Sequence, residues 1–357
     1  MRKVDVSKPL PTPPERQGGR SVGKRSISIK EISQLAGVSV ATVSRVINQN
    51  GRYSKETEER VLQIIREYGY QPNLVARGLR TRRLQVVGVI VPDITNEFFA
   101  RVTQELQSNL FDLGYSTIIC NTNEEYETEK RYLSMLQAQK VSGVIYIAGH
   151  FADGQQPLQI PTVYIDRKPP QAGETAEFVL IESANEEGGH LATRALLEAG
   201  CRRIALVTYR PDISSHGGRL RGYRRALEEA GLPFDPALIA QVPRVSMAGG
   251  YEAAAQLIRE HPDIDGFFCT SDLLAYGVLN RLLGPTPGAQ RRPIGLVGFD
   301  DLSFSSSEAF SVSSVRQSVE EFGRLGAAAL VAMIEGKPLE RKHYRLPVEL
   351  VLRHTIR

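Results

Sequence analysis

Residues 29–48 read Ile-Lys-Glu-Ile-Ser-Gln-Leu-Ala-Gly-Val-Ser-Val-Ala-Thr-Val-Ser-Arg-Val-Ile-Asn. Apolar residues recur at helical spacing twice in this stretch, with a break between. Ile32, Leu35 and Ala36 form the inward face of the first segment, and Val43, Val46 and Ile47 that of the second. Gly37 supplies the turn where a side chain would be costly, and Ser39 stands at the N-cap of the second helix. The outward face is then Val40, Ala41, Thr42, Ser44, Arg45 and Asn48, small at its start and hydrogen-bonding further along. Such a face fits a major groove. Arg45 offers a planar fork that matches the two acceptors on a guanine edge. Thr42 suits a thymine methyl or a phosphate, Val40 and Ala41 allow close approach, and Ser39 and Asn48 are placed to fix the helix on the DNA backbone. Taken singly these residues have plainer readings, a helical hairpin and a solvated Arg. The order of cap, glycine turn and exposed Arg favours double-stranded DNA as a partner.

Charge agrees. Residues 1–83 carry 17 Lys and Arg against 7 Asp and Glu, a net +10, whereas the whole chain is +4 and the remainder therefore −6. A basic head on an acidic body is a nucleic-acid signature that the overall pI hides. A third helix opens at Ser54, with Val61, Leu62, Ile64 and Ile65 as its stripe, Tyr68 extending it and Gly69 ending it. After Pro72, Asn73 is placed to cap a segment from Leu74 to Arg80 of about two turns, too short to hold in water by itself. Gly78 costs it roughly 1 kcal/mol more. That segment forms when docked, with Leu79 as an apolar wedge between base steps, or else is a plain linker.

Residues 28–83 resemble the DNA-binding head and hinge of the LacI/GalR family of bacterial transcription regulators. The matching residues are Ala36-Gly37-Val38-Ser39, Thr42-Val43-Ser44-Arg45-Val46-Ile47-Asn48, Gly69-Tyr70, Pro72-Asn73, and Ala76-Arg77 with Leu79. The resemblance implies a homodimer on a pseudopalindromic operator, with paired hinge helices in the minor groove and Leu79 as the wedge. Asn73, Ala76 and Arg77 join it as DNA-binding residues. Many members have a non-glycine residue where this chain has Gly78, which implies a hinge that folds less readily.

From residue 86 the pattern changes. Val86-Val87-Gly88-Val89-Ile90-Val91 is a continuous apolar run, as in a buried parallel strand. Strands follow at 116–120, 143–147, 204–207, 266–269 and 294–299, with helices from Phe98 to Leu113, from about Thr128 to Gln139 and from Gly222 to Gly231. Roughly 270 residues exceed one comfortable core, so two subdomains are expected. The resemblance continues to residue 357 and implies an effector domain like the periplasmic sugar-binding proteins. The expected fold is thus an all-α helix-turn-helix head with a hinge helix, joined to an α/β body of two doubly wound parallel-sheet subdomains. Its boundaries are 1–26 (disordered basic tail), 27–71 (head), 72–83 (hinge) and 84–357 (body). Within the body, about 84–181 plus 318–345 form one subdomain and 182–317 plus 346–357 the other.

Ligands of such folds bind at the carboxyl ends of strands. Asp93, Asn96, Phe98 and Phe99 leave the first strand, in a segment resembling the family's Asn-Pro-Phe-Phe with Glu97 replacing Pro. Asp166 and Arg167 follow another strand, and Ser271 and Asp272 a third. Arg219 in Gly218-Arg219 before Gly222-Tyr223 resembles the family's effector-binding Arg, Asp300 its hydroxyl-binding Asp, and Gln317 sits at a crossover. The resemblance implies a sugar effector. Carboxylates accept from hydroxyls, Arg donates to sugar oxygens, and Phe98 covers an apolar face. Two departures, Ala184 before Asn185 and Val245 at a position often aromatic, point away from a ligand stacked on both faces, such as a purine.

The Pro-rich N-terminus lacks the apolar core of a signal peptide. No stretch is apolar enough to cross a membrane. Three Cys without paired spacing suit a reducing cytoplasm. No leucine heptad follows the strand pattern at 346–353, so a dimer is expected. No metal or cofactor is expected, and no Walker or Gly-x-Ser-x-Gly pattern marks an enzyme. The function implied is a cytoplasmic repressor of carbohydrate-utilisation genes, released from its operator by a sugar. The alternatives are control by a corepressor or a partner protein and, more distantly, a sugar-binding protein or sugar-processing enzyme.

Overall fold

The computed structural model describes residues 27–47, 50–70, 85–148, 160–169, 178–284 and 294–356. The chain divides into two compact units, Met1–Arg77 and Gly78–Arg357. The expected tail, Asn48 and the hinge residues Asn73, Ala76, Arg77 and Leu79 lie outside the described residues.

The first unit holds α1 (Ile29–Ala36), α2 (Val40–Ile47) and α3 (Lys55–Tyr68). A capping box opens α1: the Ser28 side chain accepts from the Glu31 N–H, and the Glu31 carboxylate accepts from the Ser28 N–H at 2.8 Å. Gly37 ends α1 at φ +66°, in the left-handed region that favours glycine. Ser39 Oγ accepts from the Thr42 N–H at 3.1 Å and so caps α2. The core is Ile32, Ala36, Val43, Val46, Val61 and Ile64, with Ile47 and Ile65 packed against it. Three expected core residues are not part of it: Leu35 is 51 % exposed, Leu62 38 % and Tyr68 52 %. At 100° per residue the buried stripe of α1 runs Ile29, Ile32, Ser33 and Ala36, and Leu35 lies about a quarter turn off it. Two partners on one side of so short a helix leave that flank uncovered.

The second unit contains two six-stranded sheets. The first sheet has the order β11-β5-β4-β3-β1-β2 and is parallel throughout. Its strands are β1 (Val86–Val91), β2 (Ser116–Asn121), β3 (Gly143–Ile147), β4 (Thr162–Ile165), β5 (Val179–Ser183) and β11 (His343–Leu346). Helices α4 (Glu97–Asp112) and α5 (Tyr126–Ala138) return the chain between its strands. The second sheet has the order β12-β10-β9-β8-β6-β7, with only β12 antiparallel. Its strands are β6 (Ile204–Tyr209), β7 (Ile239–Val242), β8 (Gly266–Cys269), β9 (Gly295–Asp300), β10 (Ser313–Gln317) and β12 (Val348–Val351). Around it run α6 (Asn185–Glu198), α7 (Ser214–Glu229), α8 (Met247–Glu260) and α9 (Asp272–Leu283), while α10 (Val319–Glu335) returns to the first sheet. No described helix is long and apolar enough to cross a membrane.

The chain passes between the sheets at residues 183–185, 317–319 and 346–348. The strand pattern expected over 346–353 is β12 (Val348–Val351), while Leu346 ends β11 in the other sheet. Pro347 stands between them, with no N–H for a ladder and its φ fixed. Helix α7 begins at Ser214, eight residues before the expected start at Gly222, because its first turns are polar and lack an apolar stripe to read.

Glycines set the spacing of α6 and α7. A Cβ on Gly189 would lie 2.2 Å from the Arg219 carbonyl oxygen, and one on Gly222 would lie 2.0 Å from that of Glu186. The two backbones therefore touch, and this contact places the first turns of α7. Gly189→Ala must push the helices apart; we expect a loss of about 1–3 kcal/mol in urea unfolding of the full chain, as for other overpacked cores.

Candidate functional site

The carboxyl ends of the strands of both sheets border one cleft of ≈ 550 Å³, part of it open to solvent. From the first sheet come Asp93, Asn96, Phe98, Phe99, Glu124, Asp166 and Arg167; from the second come Ser215, His216, Arg219, Arg244, Val245, Ser271 and Asp300. Nine of the eleven residues expected in an effector pocket are thus brought together. The other two, Asp272 and Gln317, do not reach the wall and instead stand behind Asp300.

Asp300 is the hub. Gln317 Nε2 donates to its Oδ1 at 2.7 Å, Ser271 Oγ donates to its Oδ2 at 3.0 Å, and Arg219 Nη1 lies 3.7 Å from Oδ1. Arg219 itself donates to Asn185 Oδ1 at 2.9 Å and to the Thr270 carbonyl at 2.7 Å, and its guanidinium lies 3.6 Å from the centre of the Phe299 ring. That ring is an apolar face for a planar cation. Ser183 Oγ donates to Gln317 Oε1 at 2.6 Å, so the first and second crossovers are bonded to each other directly behind the cleft.

Asp272 is fully buried and accepts from Ser314 Oγ, Ser305 Oγ and the Leu302 N–H. It holds the loop after β9 in place, a supporting role that its position directly after Ser271 concealed. Asp300 and Asp301 have φ of +108° and +52°, and Asp166 +68°. Strained backbone gathers at the strand ends that face the cleft. Two charge-assisted contacts hold Asp301, from Arg316 Nε at 2.7 Å and Arg353 Nη2 at 2.6 Å.

On the opposite wall, Phe98 and Phe99 lie in the first turn of α4, which Asn96 caps. Phe98 is braced edge-on by Phe322 at 6.1 Å. Buried Asp166 presents one oxygen, Oδ1, with no hydrogen-bond partner. Its Oδ2 lies 3.8 Å from Arg167 Nε, and Arg167 Nη1 donates to the Ala148 carbonyl at 3.1 Å. Polar contacts bridge the cleft: Tyr209 Oη donates to Glu124 at 3.1 Å, Arg244 lies 3.5 Å from Asp93, and the Lys168 N–H donates to Ser214 Oγ at 2.8 Å. Glu97, the residue noted in place of a Pro, accepts from the Ser303 N–H at 2.9 Å and Ser303 Oγ at 2.7 Å.

Sequence reasoning missed Glu124, Ser215, His216 and Arg244. Ser215 and His216 lie four and three residues before Arg219 on α7, so the helix that carries the Arg could have pointed to them. Glu124 and Arg244 are loop residues that only tertiary structure brings to the cleft.

On the head, Ala41 and Arg45 are exposed, while Val40, Thr42 and Ser44 are half-buried. The hydroxyls of Ser39 and Thr42 lie 2.9 Å apart at the start of α2. The Arg45 side chain packs past Gly51, where a Cβ would lie 3.2 Å from Arg45 Cδ.

Burial raises both inner carboxyls, Asp272 to about 7 and Asp300 to about 6, and mutual or neighbouring carboxylates add to it. Arg219 and the bonds from Ser271 and Gln317 oppose the shift on Asp300. A folded pKa above the ordinary carboxylate value means that stability present in acid is lost as the pH rises. Relative to Asp300→Asn, the wild-type chain should lose about 2 kcal/mol between pH 4 and pH 6, read as the difference in urea unfolding at each pH.

Residues 28–73 match the model of the lacI family of bacterial regulatory proteins, and residues 193–356 match a periplasmic binding protein-like domain. The ribose operon repressor of Halalkalibacterium halodurans is 34% identical over 92% of this chain and 96% of its own length. The sucrose operon repressor of Lactococcus lactis is 30% identical over 91% of this chain and 98% of its own length. Among solved structures, the complex of the transcriptional regulator CelR with cellobiose is 30% identical, with a TM-score of 0.69 over 92% of this chain and 99% of that one. The lac repressor dimer on its operator, at 24% identity, shares the fold with a TM-score of 0.80. With its three-helix head and its two-sheet body around a polar cleft, this chain belongs to the lacI family of bacterial regulatory proteins.

Proposed function

We propose that this protein is a dimeric repressor of carbohydrate-utilisation genes that a sugar releases from a pseudopalindromic operator. The observation that carries the reading is the cleft itself, where Arg219, Asp300 and Asp166 converge under two phenylalanines on a chain whose head exposes Arg45 on its second helix. Buried carboxylates and an Arg fixed from behind hold a polyhydroxylated ligand, and an aromatic wall covers its apolar face. Relatives named for the ribose and sucrose operons and a structure named for cellobiose support the same class of ligand.

In this reading Arg45 reads a base edge, Thr42, Ser39 and Asn48 fix the helix, and the segment 72–83 is the hinge with Leu79 as its wedge. Sugar binding engages Asp300, which is tied through Gln317 to Ser183 and therefore to two crossovers. A change there alters the angle between the sheets and the spacing of the hinges. Coupling of this kind is reciprocal, so operator DNA weakens an inducing sugar by the factor by which the sugar weakens DNA binding.

Fluorescence anisotropy at fixed salt, with promoter DNA from the gene's own neighbourhood and a panel of mono- and disaccharides, tests the reading. Release by one sugar is expected; tightening by a ligand would establish a corepressor instead. Arg45→Ala should cost about 1–3 kcal/mol of base discrimination and leave sugar affinity intact. Asp300→Ala should bind DNA normally and fail to respond to the sugar. Asp300 is held near pKa 6 and pairs with Arg219 only when ionised. Sugar affinity measured calorimetrically should therefore fall as the pH drops below about 6, and Asp300→Asn should flatten the profile.

A further inference from the structure

We infer that His216 is a specificity-determining residue of the cleft, its Nε2 fixed as a hydrogen-bond acceptor that takes a hydroxyl proton from the bound effector. The inference rests on the sugar reading above and adds a residue and a selection rule to it.

The argument is a count of protons. Thr208 Oγ1 lies 3.1 Å from the Tyr209 carbonyl, which only accepts, so Thr208 donates there. Thr270 Oγ1 lies 3.2 Å from Thr208 Oγ1 and, since Thr208 has spent its one proton, Thr270 donates to it. His216 Nδ1 lies 3.0 Å from Thr270 Oγ1, whose proton is now also committed. The imidazole must therefore donate from Nδ1. In the opposite tautomer one of the two O···O or N···O contacts would hold no proton at all. Both threonines are fully buried, so no solvent rescues that arrangement.

The ring is also held neutral. Burial lowers its pKa well below the usual histidine value, and the Arg219 and Arg167 guanidinium groups lower it further. A neutral imidazole protonated at Nδ1 has a bare lone pair on Nε2. His216 lies on the wall of the cleft, and the Tyr209 ring meets it edge-on at 5.5 Å. Asp166 lines the same cleft, and its Oδ1 is a buried acceptor without a donor. The pair selects ligands that bring O–H groups. A fully ionised phosphate monoester placed at His216 brings only acceptors and is rejected, although a protonated histidine would have welcomed it.

The test uses the full-length chain with D-ribose, sucrose, cellobiose and D-xylulose as probes. Long-range proton–nitrogen correlation spectra of histidine-labelled protein, with His216→Gln to assign the signal, should show Nδ1 protonated and Nε2 bare. Thr270→Val should abolish that preference. By calorimetry, His216→Ala should weaken whichever sugar binds by about ten- to hundredfold, and one monodeoxy analogue of that sugar should bind wild type and variant alike. A proton on Nε2 in the wild type, or a His216→Ala affinity within twofold for every binding sugar, overturns the inference. Failure of the wild-type chain to bind any of the four sugars overturns the sugar reading, and this inference with it.

Discussion

A buried carboxylate must be answered by donors or by a cation, and at Asp300 the answers come from a helix, a strand end and a crossover far apart in the chain. Arg219 reaches it from α7, Ser271 from the end of β8, and Gln317 from the second crossover. Arg219 is in turn held by Asn185 at the start of α6 and by the Thr270 carbonyl. The site is therefore preorganised in part from behind: Gln317, Asn185 and Thr270, which do not line the cleft, fix Asp300 and Arg219, which do. The cost of that arrangement is visible in the raised carboxyls of Asp300 and Asp272 and in the left-handed backbone at the strand ends.

The same bonds join binding to shape. Ser183, Gln317 and Asp300 form one hydrogen-bonded chain that runs from the first crossover through the second to the cleft. A ligand that draws on Asp300 changes the partners of the residue that ties the crossovers together. Across the mouth, Glu97 with Ser303 and Arg244 with Asp93 are exposed contacts that bridge the two sheets. Exposed pairs of this kind are individually weak, about 0–1 kcal/mol, so they bias the closure of the cleft without locking it.

Much of this was legible in residue order. The apolar runs of β1, β3 and β8, the turn at Gly37 and the cap at Ser39 are local signals, because hydrogen bonding and burial within one element leave a period in the sequence. Asp93, Asn96, Asp166 and Ser271 could be placed on the cleft because they follow strands of a parallel sheet, whereas Arg219 and Asp300 were picked out by their resemblance to family residues. The local period gave no warning that Leu35 and Leu62 are exposed, since it says which residues share a face and not whether another helix covers it.

The sequence alone thus determined the class of the elements with a clear apolar period, the change from a helical head to an α/β body, and most of the residues that line the cleft. Only the tertiary structure decided that Asp272 supports Asp300 from behind and that Glu124, His216 and Arg244 line the cleft. The physical reason is that these facts concern partners far apart in the chain. The tautomer of His216 depends on Thr208 and Thr270, and the burial of Asp272 on Ser305 and Ser314. A proton's place or a carboxylate's donors are set by what surrounds a side chain in space, and residue order records that only where the surroundings are also neighbours along the chain.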